Sequence, residues 1–209
     1  MKKIKILTGL LFATIILGGC LTTLHPIFTE KDIIADSRLI GHWLKSKDKS
    51  EIIYTHPNAE ELKNLSSVLQ NHADKIYMLD EEDAQGNFKT TYYAFLVKLG
   101  KYYYMDYYPA EEIERESADD FFASHYVPMH SIYRIKFSDN NSLDIQRLDG
   151  DYLKNLIKNK KIRIKHEEME DGSFVITAST EELQQYLIKY SDVPEAYNKD
   201  NSDSYTRIK

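Results

Sequence analysis

Thr90-Thr91-Tyr92-Tyr93-Ala94-Phe95-Leu96-Val97-Lys98-Leu99, then Gly100-Lys101, then Tyr102-Tyr103-Tyr104-Met105-Asp106-Tyr107-Tyr108 is the most explicit stretch of the chain. Two runs of aromatic and β-branched residues are separated by two turn residues, which is the pattern of a tight β-hairpin. Successive strand residues point to opposite sides. Tyr93, Phe95, Val97 and Leu99 therefore share one face of the first strand. In the second, Tyr103, Met105 and Tyr107 share a face, with Tyr102, Tyr104, Asp106 and Tyr108 on the other.

Similar segments lie on both sides of this hairpin. Leu39 to Leu44, Glu51 to Thr55 and Lys75 to Glu81 precede it. His130 to Phe137, Leu143 to Leu148, Ile162 to Met169 and Ser173 to Ala178 follow it. Asp83 to Asn87, Asp139-Asn140-Asn141 and Glu170-Asp171-Gly172 supply turn chemistry between them. Three helices interrupt the series. Asn58 with Glu61 three residues later starts one over 59–71, with Leu62, Leu65 and Leu69 as its apolar stripe. Leu153, Leu156 and Ile157 mark a second over 151–159. Ser179 with Glu182 caps the third, whose stripe is Leu183, Tyr186, Leu187 and Tyr190.

About nine strands in hairpin order predict a mainly β fold, an antiparallel up-and-down barrel of about 8–9 strands with two or three flanking helices. Closure removes the exposed edges that an open sheet would leave. Sixteen tyrosines and eight phenylalanines against eight glycines and five prolines suit strand packing. The barrel domain is expected over 39–192, with 193–209 as a polar, frayed tail.

The N-terminus carries a different message. Lys2, Lys3 and Lys5 precede an apolar run from Ile6 to Leu17, which ends at Gly18-Gly19. Basic residues, a short apolar core and a small-residue cleavage site form a signal peptide over 1–19. The run is shorter than the ~20 residues needed to span a bilayer. Cys20, the single cysteine of the chain, follows at once. Residues 20–38 read as a lipidated N-terminus and tether, and eighteen extended residues would reach up to ~60 Å. Ile33, Ile34 and Leu39 suggest that its later part docks on the domain.

Leu17-Gly18-Gly19-Cys20 resembles the lipobox of bacterial lipoproteins. That resemblance implies lipid attachment at Cys20 and a protein tethered to a membrane without crossing it. One acyl chain anchors marginally and two or three anchor firmly. Leu21-Thr22-Thr23-Leu24 lacks the aspartate that signals inner-membrane retention, so the implied address is the cell envelope, at the periplasmic face of the outer membrane. The membrane, through Cys20, is the first expected partner. Without Lys2, Lys3 and Lys5 the chain has about 24 basic against 33 acidic side chains, a charge of about −9. That balance argues against nucleic acid, whose phosphates require a basic footprint.

Gly41-His42-Trp43 resembles the Gly-x-Trp of lipocalins, where the indole plugs one end of an eight-stranded barrel that often holds a small apolar ligand. The lipocalin pattern also implies an arginine over Trp43, with Arg147 and Arg163 as alternatives. A broader similarity is to uncharacterised bacterial lipoproteins. It is carried by His25 to Asp32, Leu39 to Trp43, Ala94 to Gly100, Met105-Asp106, Val127 to His130 and Val175 to Leu183. Residues 57–72 look like an addition to that group's shorter connection. The group brings no activity with it.

No recognised catalytic motif occurs in the sequence. His166-Glu167-Glu168-Met169-Glu170 has a glutamate where a zinc-protease helix needs its second histidine, and it lies in a strand pattern. No Gly-x-Ser-x-Gly elbow, phosphate loop or calcium loop occurs. His125 and His130 lie near the acidic stretch 110–124, where Asp119 or Asp120 could join them at a metal, but their spacing matches no metal motif. No cofactor is implied. The expected function is a non-catalytic binding or envelope-interaction domain, with a small apolar ligand or an envelope protein as partner. The alternative is a hydrolase with a carboxylate and histidine site at the barrel mouth. The ligand-binding candidates are Tyr93, Tyr103, Met105, Tyr107 and His130. The hairpin's tyrosines either fill the barrel and pack beneath a helix, or form a recognition ladder of rings with hydroxyl tips.

Overall fold

Alternating apolar positions in these strands can be buried only if the sheet curls around one face, and that is the architecture observed. The computed structural model describes residues 21–110, 127–170 and 172–208. The eleven strands among them are β1 (Thr22–Thr23), β2 (Gly41–Lys45), β3 (Glu51–Thr55), β4 (Ile76–Glu82), β5 (Phe88–Leu99), β6 (Tyr102–Pro109), β7 (His130–Asp139), β8 (Ser142–Leu148), β9 (His166–Glu168), β10 (Phe174–Ile176) and β11 (Tyr197–Arg207). Strands β2 to β8 follow one another around an antiparallel meander. β11 pairs with both β8 and β2 and so closes an eight-stranded up-and-down barrel. β1 leaves the barrel at the start of β7, pairing Thr22 with Ser131 and Thr23 with His130. It then runs parallel to β10, which pairs with β9.

The hairpin forms as its sequence predicts. Leu99 pairs with Tyr102, and Gly100 takes φ +60°, a left-handed value glycine adopts without steric cost at the first position of a two-residue turn. Inside the barrel, Leu39, Trp43, Tyr54, Tyr77, Leu96, Met105, Ile135 and Leu143 form one buried cluster. Outside it, Phe95, Val97, Tyr104 and Ile132 meet the helices and the N-terminal segment in a second cluster. The hairpin thus buries both faces.

Among the described residues the helices are α1 (Ser67–Gln70), α2 (Gly150–Lys158) and α3 (Thr180–Lys189). α3 carries the full capping box between Ser179 and Glu182, and it buries Leu183, Tyr186 and Leu187. The helix expected over 59–71 is broken. Asn58 Oδ1 accepts the Glu60 and Glu61 amides ahead of a 3-10 turn over Glu61–Asn64, Leu65 turns extended, and Ser66 caps the single turn of α1. Asn64, Ser66, Ser67 and Asn71 offer the backbone local side-chain partners that compete with a continuous helix. The stripe still docks, with Leu65 buried and Leu62 and Leu69 packed beside it.

Two expectations about the termini are corrected. The frayed tail over 193–209 is replaced by a closing strand. Its inward positions are polar or amphipathic and find fixed partners, as in the 3.0 Å ion pair of Asp203 with Lys45 and the buried Tyr205. A register shift between Tyr197 and Ser202 further disrupts its alternation. The tether over 20–38 is packed from Leu21 onward. Leu21, Ile27, Phe28 and Ile33 are buried, and Ile33 bridges Val97 while the Ile34 amide donates to the Leu96 carbonyl at 2.9 Å. These contacts cover the edge of β5 beyond Phe95, where β4 has not yet begun. Residues 1–19, expected to be a signal peptide, and Cys20, His125, Asp119 and Asp120 lie outside the described residues.

Candidate functional site

Three of the predicted residues, Tyr103, Met105 and Tyr107, face the barrel interior. Ala94 pairs with Tyr107, and Leu96 with Met105, so these four point inward together with Tyr103. Trp43, Tyr54, Leu96, Met105 and Leu143 have no accessible surface, which leaves no water-sized space against any of them. The Tyr54 and Tyr107 hydroxyls hydrogen-bond to each other. Tyr107 meets Tyr133 edge-on at 5.3 Å, and Tyr54 meets Tyr77 edge-on at 6.5 Å. Burial drives the Tyr54 and Tyr107 phenols well above the ordinary tyrosine value. They are neutral hydrogen-bonding groups rather than bases. At this level the barrel is a packed core.

One end is closed by a lid of charged groups. The Trp43 indole donates to the Leu39 carbonyl at 2.8 Å. The Arg207 guanidinium lies 4.3 Å from the Trp43 ring and donates to the Arg38 and Ile40 carbonyls. Arg38 is paired with Asp36 and lies 4.3 Å over Phe137. Arg207 therefore takes the place foreseen for Arg147 or Arg163. Arg147 lies 5.8 Å from the Tyr133 ring instead. Arg207 lies in the stretch whose polar composition reads as a tail, so no local sequence signal points to it.

The other two predicted residues are on the outside. Tyr93 donates its hydroxyl to the Glu61 carbonyl, and His130 packs 4.8 Å from the Tyr108 ring. Phe95 pairs with Asp106, so odd positions of β5 share a face with even positions of β6. The five residues thus form no single site. The two-residue Gly100-Lys101 turn itself sets this register, so the opposite facing of Tyr93 and Tyr107 follows from the sequence, whereas the placement of His130 rests on the β6–β7 pairing, which no short turn sets.

Asp106 and His130 form the most unusual polar pair. Asp106 has no accessible surface, although it sits on the outer side of β6. Its Oδ1 is 2.6 Å from His130 Nδ1, and its Oδ2 accepts the Ile27 amide at 2.9 Å. Burial raises the Asp106 pKa, opposed by the His130 hydrogen bond and charge and by the Ile27 amide. The pair clamps the N-terminal segment onto the barrel. Gln184 and Thr180 of α3 reinforce it by donating to the Ile27 and Pro26 carbonyls, each at 2.8 Å. Among the described residues no three His, Cys, Asp or Glu side chains converge as a metal site would require.

Outside the barrel a groove of about 590 Å³ lies between α2, β10 and the first described residues. Leu21, Met129, Leu153, Ile157, Phe174 and Ile176 give it a mainly apolar wall, with Asp151 and Lys154 among its polar members. Lys154 Nζ donates to the Gly172 carbonyl at 2.6 Å and stands 4.8 Å over the Phe174 ring. No sequence pattern had joined these residues, because they come from four separate segments. The fold class is an eight-stranded up-and-down barrel with helices packed on its outer face. Compared with family models, curated proteins and solved structures, the chain gives no match to any.

Proposed function

We propose that this chain is a bacterial lipoprotein, held to a membrane by lipid on Cys20, whose barrel is a non-catalytic domain engaging an envelope partner on its surface. The observation that carries this reading is Leu17-Gly18-Gly19-Cys20 running directly into the paired strand Thr22–Thr23. A lipid on Cys20 would hold the domain against the membrane, without the spacer expected from the sequence. The close-packed interior favours a partner on the outside over an apolar ligand at the level of Met105. Trp43 under Arg207 supports the lipocalin-like reading of the barrel. Among the described residues no helix is long and apolar enough to cross a membrane. The periplasmic face of the outer membrane remains the proposed address.

Metabolic labelling with an alkyne fatty acid tests the anchor. The full chain should take up label and fractionate with membranes, and Cys20→Ser should lose both. Unchanged membrane association in Cys20→Ser would remove the proposal. Cross-linking in the envelope should then capture a specific partner of the anchored form. A hydrolase is the second reading, and the buried Asp106–His130 pair is what favours it, on the outer side of β6 and β7 rather than at the barrel mouth expected from the sequence. It predicts turnover of some ester, amide or glycoside that His130→Ala abolishes while the fold persists. An inactive wild-type chain across such a panel eliminates it.

A further inference from the structure

We infer that the groove beside Leu21 receives one acyl chain of the lipid on Cys20, an assignment that rests on the lipoprotein reading above. Leu21 and Thr22 both line the groove, and Leu21 is 6% exposed. Cys20 is the residue before Leu21, so its Cα lies ~3.8 Å from that of a wall residue. The pairing of Thr22 with Val175 and Ser131 fixes the chain's course as it leaves the wall.

The chemistry of the wall suits a hydrocarbon chain. Leu21, Met129, Leu153, Ile157, Phe174 and Ile176 come from the N-terminal segment, the lead into β7, α2 and β10. The volume of about 590 Å³ falls within the ~300–1,000 Å³ of ordinary small-ligand sites. The Lys154 ammonium is tied to the Gly172 carbonyl and the Phe174 ring, which keeps a fixed charge at one wall rather than a mobile one. One chain in the groove and the remainder in the bilayer would set the orientation of the domain as well as its attachment.

The test uses the full chain produced in bacteria fed a fatty acid with a terminal diazirine, then irradiated in membranes and mapped by peptide mass. Intact mass first reports whether Cys20 is acylated. Cross-links should then concentrate on the peptides bearing Ile157 and Phe174, by about tenfold over those bearing the exposed Val68 and Ile188. Ile157→Arg and, separately, Met129→Arg should abolish this enrichment while leaving Trp43 emission unchanged. If Cys20 is acylated but label spreads evenly or reaches bilayer lipid alone, the groove assignment falls and the lipoprotein reading stands. If Cys20 carries no acyl mass, both fall. Enrichment that persists in Cys20→Ser, from free labelled fatty acid, also overturns the assignment to the chain's own lipid.

Discussion

Asp106 Oδ1 lies 2.6 Å from His130 Nδ1 in a position without solvent access, and the second oxygen of the same carboxylate holds the Ile27 amide. Two long-range connections thus meet at one side chain, from β6 to β7 and from β6 to the N-terminal segment. A buried carboxylate stripped of its partner is costly, because desolvation remains while the compensating attraction is lost.

His130→Ala should therefore destabilise the domain by about 3 kcal/mol in urea unfolding at neutral pH. The loss also has a pH signature. Burial holds the Asp106 pKa above 3.8, so the native state keeps a proton that the unfolded chain has released. Its contribution to stability then falls as pH rises through the window above the unfolded value. Removing His130 removes an opposing influence and widens that window. The gap between wild type and variant should narrow on acidification from about pH 7 to about pH 4. A gap constant across that range would refute the account.

Met105 decides whether the barrel is a container. It has no accessible surface, pairs across the sheet with Leu96 and Tyr133, and belongs to the same interior cluster as Trp43 and Tyr54. Met105→Ala should cost about 2–4 kcal/mol, the transfer of the removed atoms plus the cavity they leave. A cost under about 1 kcal/mol would mean that the interior is open or collapses freely. An apolar dye bound by Met105→Ala but not by wild type would confirm that the vacated space is enclosed.

How much of this was legible differs by element. Strand alternation in β5 and β6 and the capping of α3 could be read directly, because period and caps are local properties of sequence. β11 could not. Asp203, Tyr205 and Arg207 face inward, yet they satisfy themselves through Lys45, ring packing and the lid over Trp43, so no apolar stripe marks the strand. The N-terminal segment was similarly opaque. Ile27 is buried because Asp106 accepts its amide, a contact 79 residues away in the chain. The candidate site is a different case: Tyr93 and Tyr107 share odd numbering, and the two-residue Gly100-Lys101 turn, itself local, sets the register that sends them to opposite faces.

Asp48 supplies a pH effect of the opposite sign. It accepts the Ser50 hydroxyl at 2.6 Å and the Ser50 amide at 3.0 Å in the β2–β3 turn. These hydrogen bonds, aided by Lys45, hold its pKa down to about 2. A lowered carboxyl pKa contributes stability above the unfolded value of 3.8 and loses it as pH falls through about 2. Asp48→Ala should lower Tm at neutral pH by a small amount, since the group is largely exposed and screened. The difference from wild type should shrink as the solution is acidified through that window. Thermal melts showing a difference that grows in acid would contradict this.

Arg207 tests the closure of the barrel most sharply. Its guanidinium covers the Trp43 ring at 4.3 Å, donates to the Arg38 and Ile40 carbonyls, and through Nε reaches the Asn140 carbonyl at 3.0 Å. The residue thus joins β11 to the lead into β2 and to the β7–β8 turn while desolvating the indole. Arg207→Ala removes the cation–π contact and leaves carbonyls without their donor, a combined loss of about 2–3 kcal/mol. Trp43 is the single tryptophan, so its emission reports this end of the barrel without interference. The variant should show red-shifted emission and faster acrylamide quenching at a temperature where it is still folded by circular dichroism. Arg207→Lys keeps the charge but not the planar fork, so it should recover only part of the loss. Wild-type emission and stability in Arg207→Ala would mean that Trp43 is shielded by the barrel alone and that β11 is held by its backbone ladder.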